Sequence, residues 1–203
     1  MTAEGLRARK KLDTRRRIES AALGLFEGDG FEQTTVGDIA AAADIAPRTF
    51  FHYFATKEDV ILSDYADRLR RIVSVLTERP SQEHAWQALQ QAFLVVAADY
   101  ESEQAQLWRR FRIMATTPSV FARSLQLQAG WEDTLAEALA GRLGVDRGAD
   151  ITPRLMASTA LAAMRASLAH WLAGGGASSL PTQVAQCFER LSRGLDDDGP
   201  GMA

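Results

Sequence analysis

The sequence predicts an all-α protein, and three observations predict it. Apolar residues recur at the helical spacing i, i+3, i+4, i+7 through almost the whole chain. No stretch alternates apolar and polar residues as a half-buried strand does. Prolines and glycine clusters stand between the periodic runs, where helices start and stop. With 203 residues, 46% hydrophobic and 24% charged, the chain has the composition of a globular protein with a buried core.

The elements follow in order. Over 13–27, Ile18, Ala22, Leu25 and Phe26 form one apolar face, and Gly28-Asp29-Gly30 ends the helix. Thr35-Val36-Gly37-Asp38 resembles a capping box with the shorter aspartate, and opens a short second helix with Ile39, Ala40 and Ala43. Asp44-Ile45-Ala46 breaks the pattern, and Pro47 starts a third short helix through Phe54. A longer fourth helix is expected over 57–78, with Val60, Ile61, Leu69, Ile72, Val73 and Leu76 as its apolar positions. Pro80-Ser81 marks the clearest boundary. Beyond it, Trp86 to Tyr100 mark one helix and Leu107 to Met114 the next, stopped by Thr116-Thr117-Pro118. Phe121, Leu125, Leu135 and Leu139 belong to a long helix ending at Gly144. Thr152-Pro153 opens another that runs to Ala173, and Leu180-Pro181 opens the last, to about Leu195. The count is about nine helices, followed by an acidic tail over 196–203 that is expected to be disordered.

Composition excludes several classes of function. One cysteine, Cys187, forms no internal disulfide, and with three histidines the usual Cys/His zinc patterns are not assembled. No signal peptide and no run of about 18 apolar residues is readable, so a cytoplasmic protein without a membrane partner is expected. The histidines lie apart at 52, 84 and 170, and no nucleophile–base pair, metal cluster, phosphate loop or cofactor motif is readable. A net charge of −3 and a pI near 5.7 argue against a nucleic-acid binder. The charges are unevenly placed, however. Residues 1–17 hold seven cations, Arg7, Arg9, Lys10, Lys11, Arg15, Arg16 and Arg17, against Glu4 and Asp13, while Asp196, Asp197 and Asp198 pull the total negative.

Two short helices joined by a tight turn over 35–54, the second opened by proline and carrying Arg48, Thr49, His52 and Tyr53, have the layout of a helix-turn-helix. A plain corner of a helical bundle would look the same by periodicity. The wording is more specific: Ala21-Ala22-x-x-Leu25-Phe26, Gly30-Phe31, Thr34-Thr35-Val36, Asp38-Ile39-Ala40, Phe50-Phe51-His52-Tyr53-Phe54 and Lys57-Glu58-Asp59. Residues 14–62 closely resemble the DNA-binding domain of the TetR family of transcriptional regulators. The resemblance implies a three-helix helix-turn-helix domain over 1–57 and a helical ligand-binding and dimerisation domain over 58–195, with 58–79 as connecting helix. It implies a homodimer on a double-stranded, pseudo-palindromic operator.

Carried over residue by residue, the resemblance places Pro47, Arg48, Thr49, Phe51 and Tyr53 on the DNA-facing side of the reading helix, with Phe50 and Phe54 inward. Arg48 suits guanine O6 and N7, and Thr49 a thymine methyl or a phosphate. Tyr53, Lys57, Thr34 and Thr35 are expected on the phosphate backbone, with Arg16 and its basic neighbours as an arm reaching phosphate or the minor groove. Phe51 departs from the family, which often carries tyrosine there, and lacks that hydroxyl. His52 is expected to point sideways.

In the second half, Trp108, Phe111, Arg112, Met114, Phe121, Leu125, Trp131, Met164 and Trp171 are candidates for an effector pocket, although helical spacing alone assigns most of them to core. One of Arg109, Arg110 and Arg112 is a candidate for an anionic head group. The run from Pro47 to Asp59 also resembles the mycofactocin-system subgroup of the family, which implies a long-chain acyl-CoA as effector. Small residues over 153–173, with Val184, Cys187, Phe188 and Leu191, match the family's dimer-forming helix pair. The expected function is thus a ligand-responsive regulator, most simply a repressor and not an enzyme. The competing readings are an all-helical carrier or enzyme without a DNA role, and a DNA-binding protein without an effector.

Overall fold

The computed structural model describes residues 3–194, all of whose regular elements are helices. The acidic tail over 196–203 lies outside the described residues. There are ten helices, α1 (Ala3–Gly28), α2 (Val36–Ala42), α3 (Pro47–Phe50), α4 (Glu58–Ile61), α5 (Tyr65–Glu78), α6 (Ala85–Ser102), α7 (Gln104–Thr116), α8 (Pro118–Leu143), α9 (Thr152–Ala173) and α10 (Leu180–Arg193). They divide into two compact units: the residues up to Tyr65 with Ala105–Leu127, and Ala66–Gln104 with the residues from Gln128 onward.

The N-terminal unit is built on Ile18, Ala22 and Phe26 of α1, which are at most 4% exposed. Phe31, Ile39, Phe50, Phe54 and Ile61 join them in one core, and so do Ile113 of α7 and Val120 of α8. Arginines fasten the same elements. Arg109 makes a two-pronged pair with Glu27, Arg110 pairs with Asp64 at 2.8 Å, and Arg123 reaches Asp59 at 2.9 Å. Residues 105–127 therefore belong with the helix-turn-helix by packing, a grouping that a linear division at residue 57 does not express.

Three helix boundaries differ from expectation. The helix expected over 57–78 is two, α4 and α5. Val60, Ile61, Leu62 and Ser63 are all buried, and four consecutive residues do not share one face of an α-helix, so the chain tightens into a turn after Ile61. Arg15 of α1 satisfies the Ser63 carbonyl there while its guanidinium lies over the Phe54 ring. This break makes the count ten instead of nine. The helix expected from residue 13 begins at Ala3, because residues 3–12 are, Gly5 apart, strong helix formers without an apolar stripe, which periodicity does not detect. α3 closes at Phe50, and the expected run to Phe54 continues as turns, with Tyr53 N–H donating to Phe50 O at 2.9 Å.

The C-terminal unit packs α6, α9 and α10 together. Phe188 is fully enclosed, with the rings of Trp86 and Phe93 at 4.7 and 5.7 Å. Arg68, itself buried, lies 3.7 Å from the Tyr100 ring and pairs with Glu103. Arg142 donates to the carbonyls of Arg79, Pro80 and Glu83, which holds the proline turn after α5.

Candidate nucleic-acid interface

The turn into α2 folds as its residue types require. Thr35 Oγ accepts from Asp38 N–H at 3.2 Å while the Asp38 carboxylate accepts from Thr35 N–H at 2.8 Å and from its hydroxyl at 2.6 Å. This is the capping box the sequence predicts, and the hydroxyl and amide of Thr35 hold the Asp38 carboxyl below its ordinary range. After α2 the chain reverses at Asp44, whose φ of 53° is left-handed, and Ile45 N–H returns to Ala40 O at 3.0 Å. Aspartate tolerates this conformation better than most side chains, glycine better still. Ala46 is extended and Pro47 stands at the first turn of α3.

The reading helix hangs on Phe50. Its ring is fully buried, edge-on to Phe51 at 5.5 Å and 5.7 Å from Phe54. That anchoring leaves Pro47, Arg48 and Phe51 exposed, with Thr49 and Tyr53 half-buried. Phe51 is 57% exposed, a large apolar ring left in water beside an arginine. Tyr53 packs partly against the core, so less of it faces outward than expected. His52, in the turn after α3, is also exposed.

Three of the expected backbone contacts are engaged within the protein. Thr34 is 3% exposed and its hydroxyl donates to Gly30 O at 2.8 Å, so it is a structural residue of the turn before α2. The Thr35 hydroxyl proton is held by Asp38. The Lys57 ammonium donates to Phe31 O at 2.7 Å and Thr34 O at 3.2 Å and lies 4.4 Å from the Phe31 ring. Residue type and position do not reveal this, because the carbonyls come from a turn more than twenty residues away. Arg16 is exposed, and Arg17 lines a crevice of about 310 Å³ with Ser20, Ala21, Ala42, Ala43 and Asp44.

The expected effector residues are divided between the two units. Trp108, Phe111, Arg112, Met114, Phe121 and Leu125 belong to the N-terminal unit, and Trp131, Met164 and Trp171 to the C-terminal unit. Met114 packs against the N-terminal core and accepts from the Tyr65 hydroxyl at 4.0 Å. Arg109 and Arg110 are spent on carboxylates, which leaves Arg112 as the exposed cation of the three. Trp108, Phe111 and Trp131 are half-buried, while Phe121 and Leu125, one turn apart, are 52% and 45% exposed. Met164 is buried. Trp171 is 1% exposed and donates to Ser178 O at 2.7 Å, a satisfied core side chain where a ligand contact was expected. Val184 and Phe188, expected at the dimer face, are likewise enclosed within their own unit.

Comparison with known proteins adds five findings. The family described as bacterial regulatory proteins, tetR family, matches residues 18–63, and the MftR C-terminal domain matches residues 83–196. The mycofactocin biosynthesis transcriptional regulator MftR of Mycobacterium tuberculosis is 32% identical over 97% of this chain and 98% of its own. The HTH-type transcriptional regulator TcmR of Streptomyces glaucescens is 36% identical over 82% of this chain and 76% of its own. Among solved structures, the FadR repressor of Thermus thermophilus, in complex with lauroyl-CoA, has a TM-score of 0.58 and 27% identity, covering 92% of this chain and 99% of that one.

Proposed function

The chain belongs to the TetR family of transcriptional regulators, and from that premise we propose a homodimeric repressor that a hydrophobic small molecule, foremost a long-chain acyl-CoA, releases from a pseudo-palindromic operator. The relatives are regulators and not enzymes, which sets aside the enzyme reading. The observation that carries the proposal is the outward side of α3 and of the turn that follows it, where Arg48, Phe51 and His52 stand in solvent around the buried Phe50. An exposed arginine at the start of such a helix is placed to read a guanine edge, and a phenyl ring to meet a sugar or a thymine methyl.

The dimer reading rests on α9. Leu155, Ala162, Ala166 and Ala169 are exposed along one side of this helix, at positions i, i+7, i+11 and i+14. Such a stripe lets a symmetry-related helix approach closely, and each subunit then supplies one reading helix to half of the operator. The acyl-CoA reading draws support from the MftR C-terminal domain match and from the lauroyl-CoA bound to the FadR repressor. For release, the ligand binds the DNA-incompetent state more tightly than the DNA-bound one.

Fluorescence anisotropy with the DNA upstream of the chain's own gene tests the regulator. Tight binding that weakens steeply with salt is expected, and no binding at low salt rejects it. A thermal-shift series with acyl-CoAs of increasing chain length tests the effector. At 100 times its dissociation constant a ligand adds about 2.7 kcal/mol. Stabilisation without loss of DNA binding would make the acyl-CoA a ligand that does not induce.

A further inference from the structure

We infer that the N-terminal third of α1 is a second DNA-contacting element, a cationic helical stripe that lies on duplex phosphates outside the half-site read by α3; this rests on the regulator reading above. The helix continues well beyond its packed part. Ile18 is the first residue of α1 in the core, yet the helix starts at Ala3, fifteen residues earlier and about 22 Å away at 1.5 Å per residue. Arg7, Arg9, Lys10, Lys11, Leu12 and Asp13 in this extension are exposed.

The cations are ordered. Arg7, Lys10, Lys11 and Arg17 fall at i, i+3, i+4 and i+10, a spacing that puts them along one side of a helix, while Arg9 falls on the opposite side. Arg17 fixes where that side points. It lines the crevice with Ala42, Ala43 and Asp44, so the stripe runs out from the turn through which the chain enters α3. Like charges at i, i+3 and i+4 repel, and the sequence of residues 1–17 sets two carboxylates, Glu4 and Asp13, against seven cations. A polyanion with one charge per about 1.7 Å of axis supplies the missing partner. An anionic membrane would fit less well, since the only large apolar residues among the first seventeen are Met1, Leu6 and Leu12, too few for an apolar face.

The test uses the full chain and its operator, located by footprinting, in two duplexes: one cut flush with the half-sites and one with a helical turn of flanking DNA on each side. The longer duplex is expected to bind tighter with a steeper salt dependence. In the triple variant Arg7→Gln/Lys10→Gln/Lys11→Gln the slope on the longer duplex falls by about 5.4, near 0.9 per phosphate contact for three contacts in each of two subunits, and the two duplexes converge. Arg9→Gln, off the stripe, leaves the slope within about 0.3 of the parent. An unchanged slope in the triple variant, with binding retained, overturns the stripe but not the regulator; equal effects of Arg9→Gln and of each stripe substitution overturn the ordered face. Capture by phosphatidylglycerol vesicles that the triple variant loses, with its DNA slope unchanged, gives the arm to a membrane instead. Failure of the parent to bind either duplex overturns both readings together.

Discussion

The two units treat their aromatic side chains in opposite ways. In the N-terminal unit an enclosed ring, Phe50, stands next in sequence to an exposed one, Phe51, and arginines tie α7 and α8 to α1 and α4. In the C-terminal unit Trp86, Phe93 and Phe188 gather inward, and α6, α9 and α10 meet through alanines, leucines and aromatic rings. A surface that reads another molecule must stay outside, so its position depends on a few enclosed neighbours and on charge. A unit built around its own core depends on volume.

The largest expected effect strikes the anchor of the reading helix. Phe50→Ala costs about 3–5 kcal/mol in chemical denaturation, as for other enclosed phenylalanines. A loss under about 1 kcal/mol would show that α3 is held otherwise. Arg48→Ala is next, weakening operator binding by about 1–3 kcal/mol without moving the melting temperature. An equal loss on every sequence would reduce Arg48 to a phosphate contact.

Lys57→Gln separates structure from contact. As a pin of the turn before α2, Lys57 contributes about 1 kcal/mol or more to stability, and the variant melts lower in the absence of DNA. An unchanged melt with a salt slope lower by about 1.8, near 0.9 for each subunit, would return Lys57 to the DNA backbone. At the left-handed turn, Asp44→Gly is expected to stabilise by about 0.5–1 kcal/mol, and Asp44→Val to destabilise.

The smallest effect concerns Glu27, whose carboxyl is held below its ordinary value of 4.5 mainly by the Arg109 guanidinium. A lowered folded-state value means that the pair's stability is complete above pH 4.5 and is lost as the pH falls through the folded-state value. Arg109→Gln therefore melts slightly lower at neutral pH, by at most about 0.5 kcal/mol for so exposed a pair, and the difference disappears in acid. A difference that grows in acid would contradict that sign.

Much of this was legible because it is local. The capping box at Thr35 and Asp38 and Pro47 at the start of α3 depend on residues within a few positions of one another, while the burial of Phe50 and Phe54 was implied by the family resemblance. Where the sequence reading failed, the partner was distant. The break after Ile61 needs a core that buries four consecutive residues and an Arg15 to take the Ser63 carbonyl. Helical spacing shows that a side chain such as Met114 or Trp171 faces inward without showing toward which core.

By itself the sequence determined the helical class, the helix-turn-helix and its outward arginine, since periodicity, caps and family wording all act over short range. Only the tertiary structure decided that residues 105–127 pack with the N-terminal unit, that Thr34 and Lys57 serve the turn before α2, and that Trp171 is core. Each of those assignments depends on which side chain occupies a space or accepts a proton across the fold, and that choice is made by packing and by the need to satisfy buried polar groups.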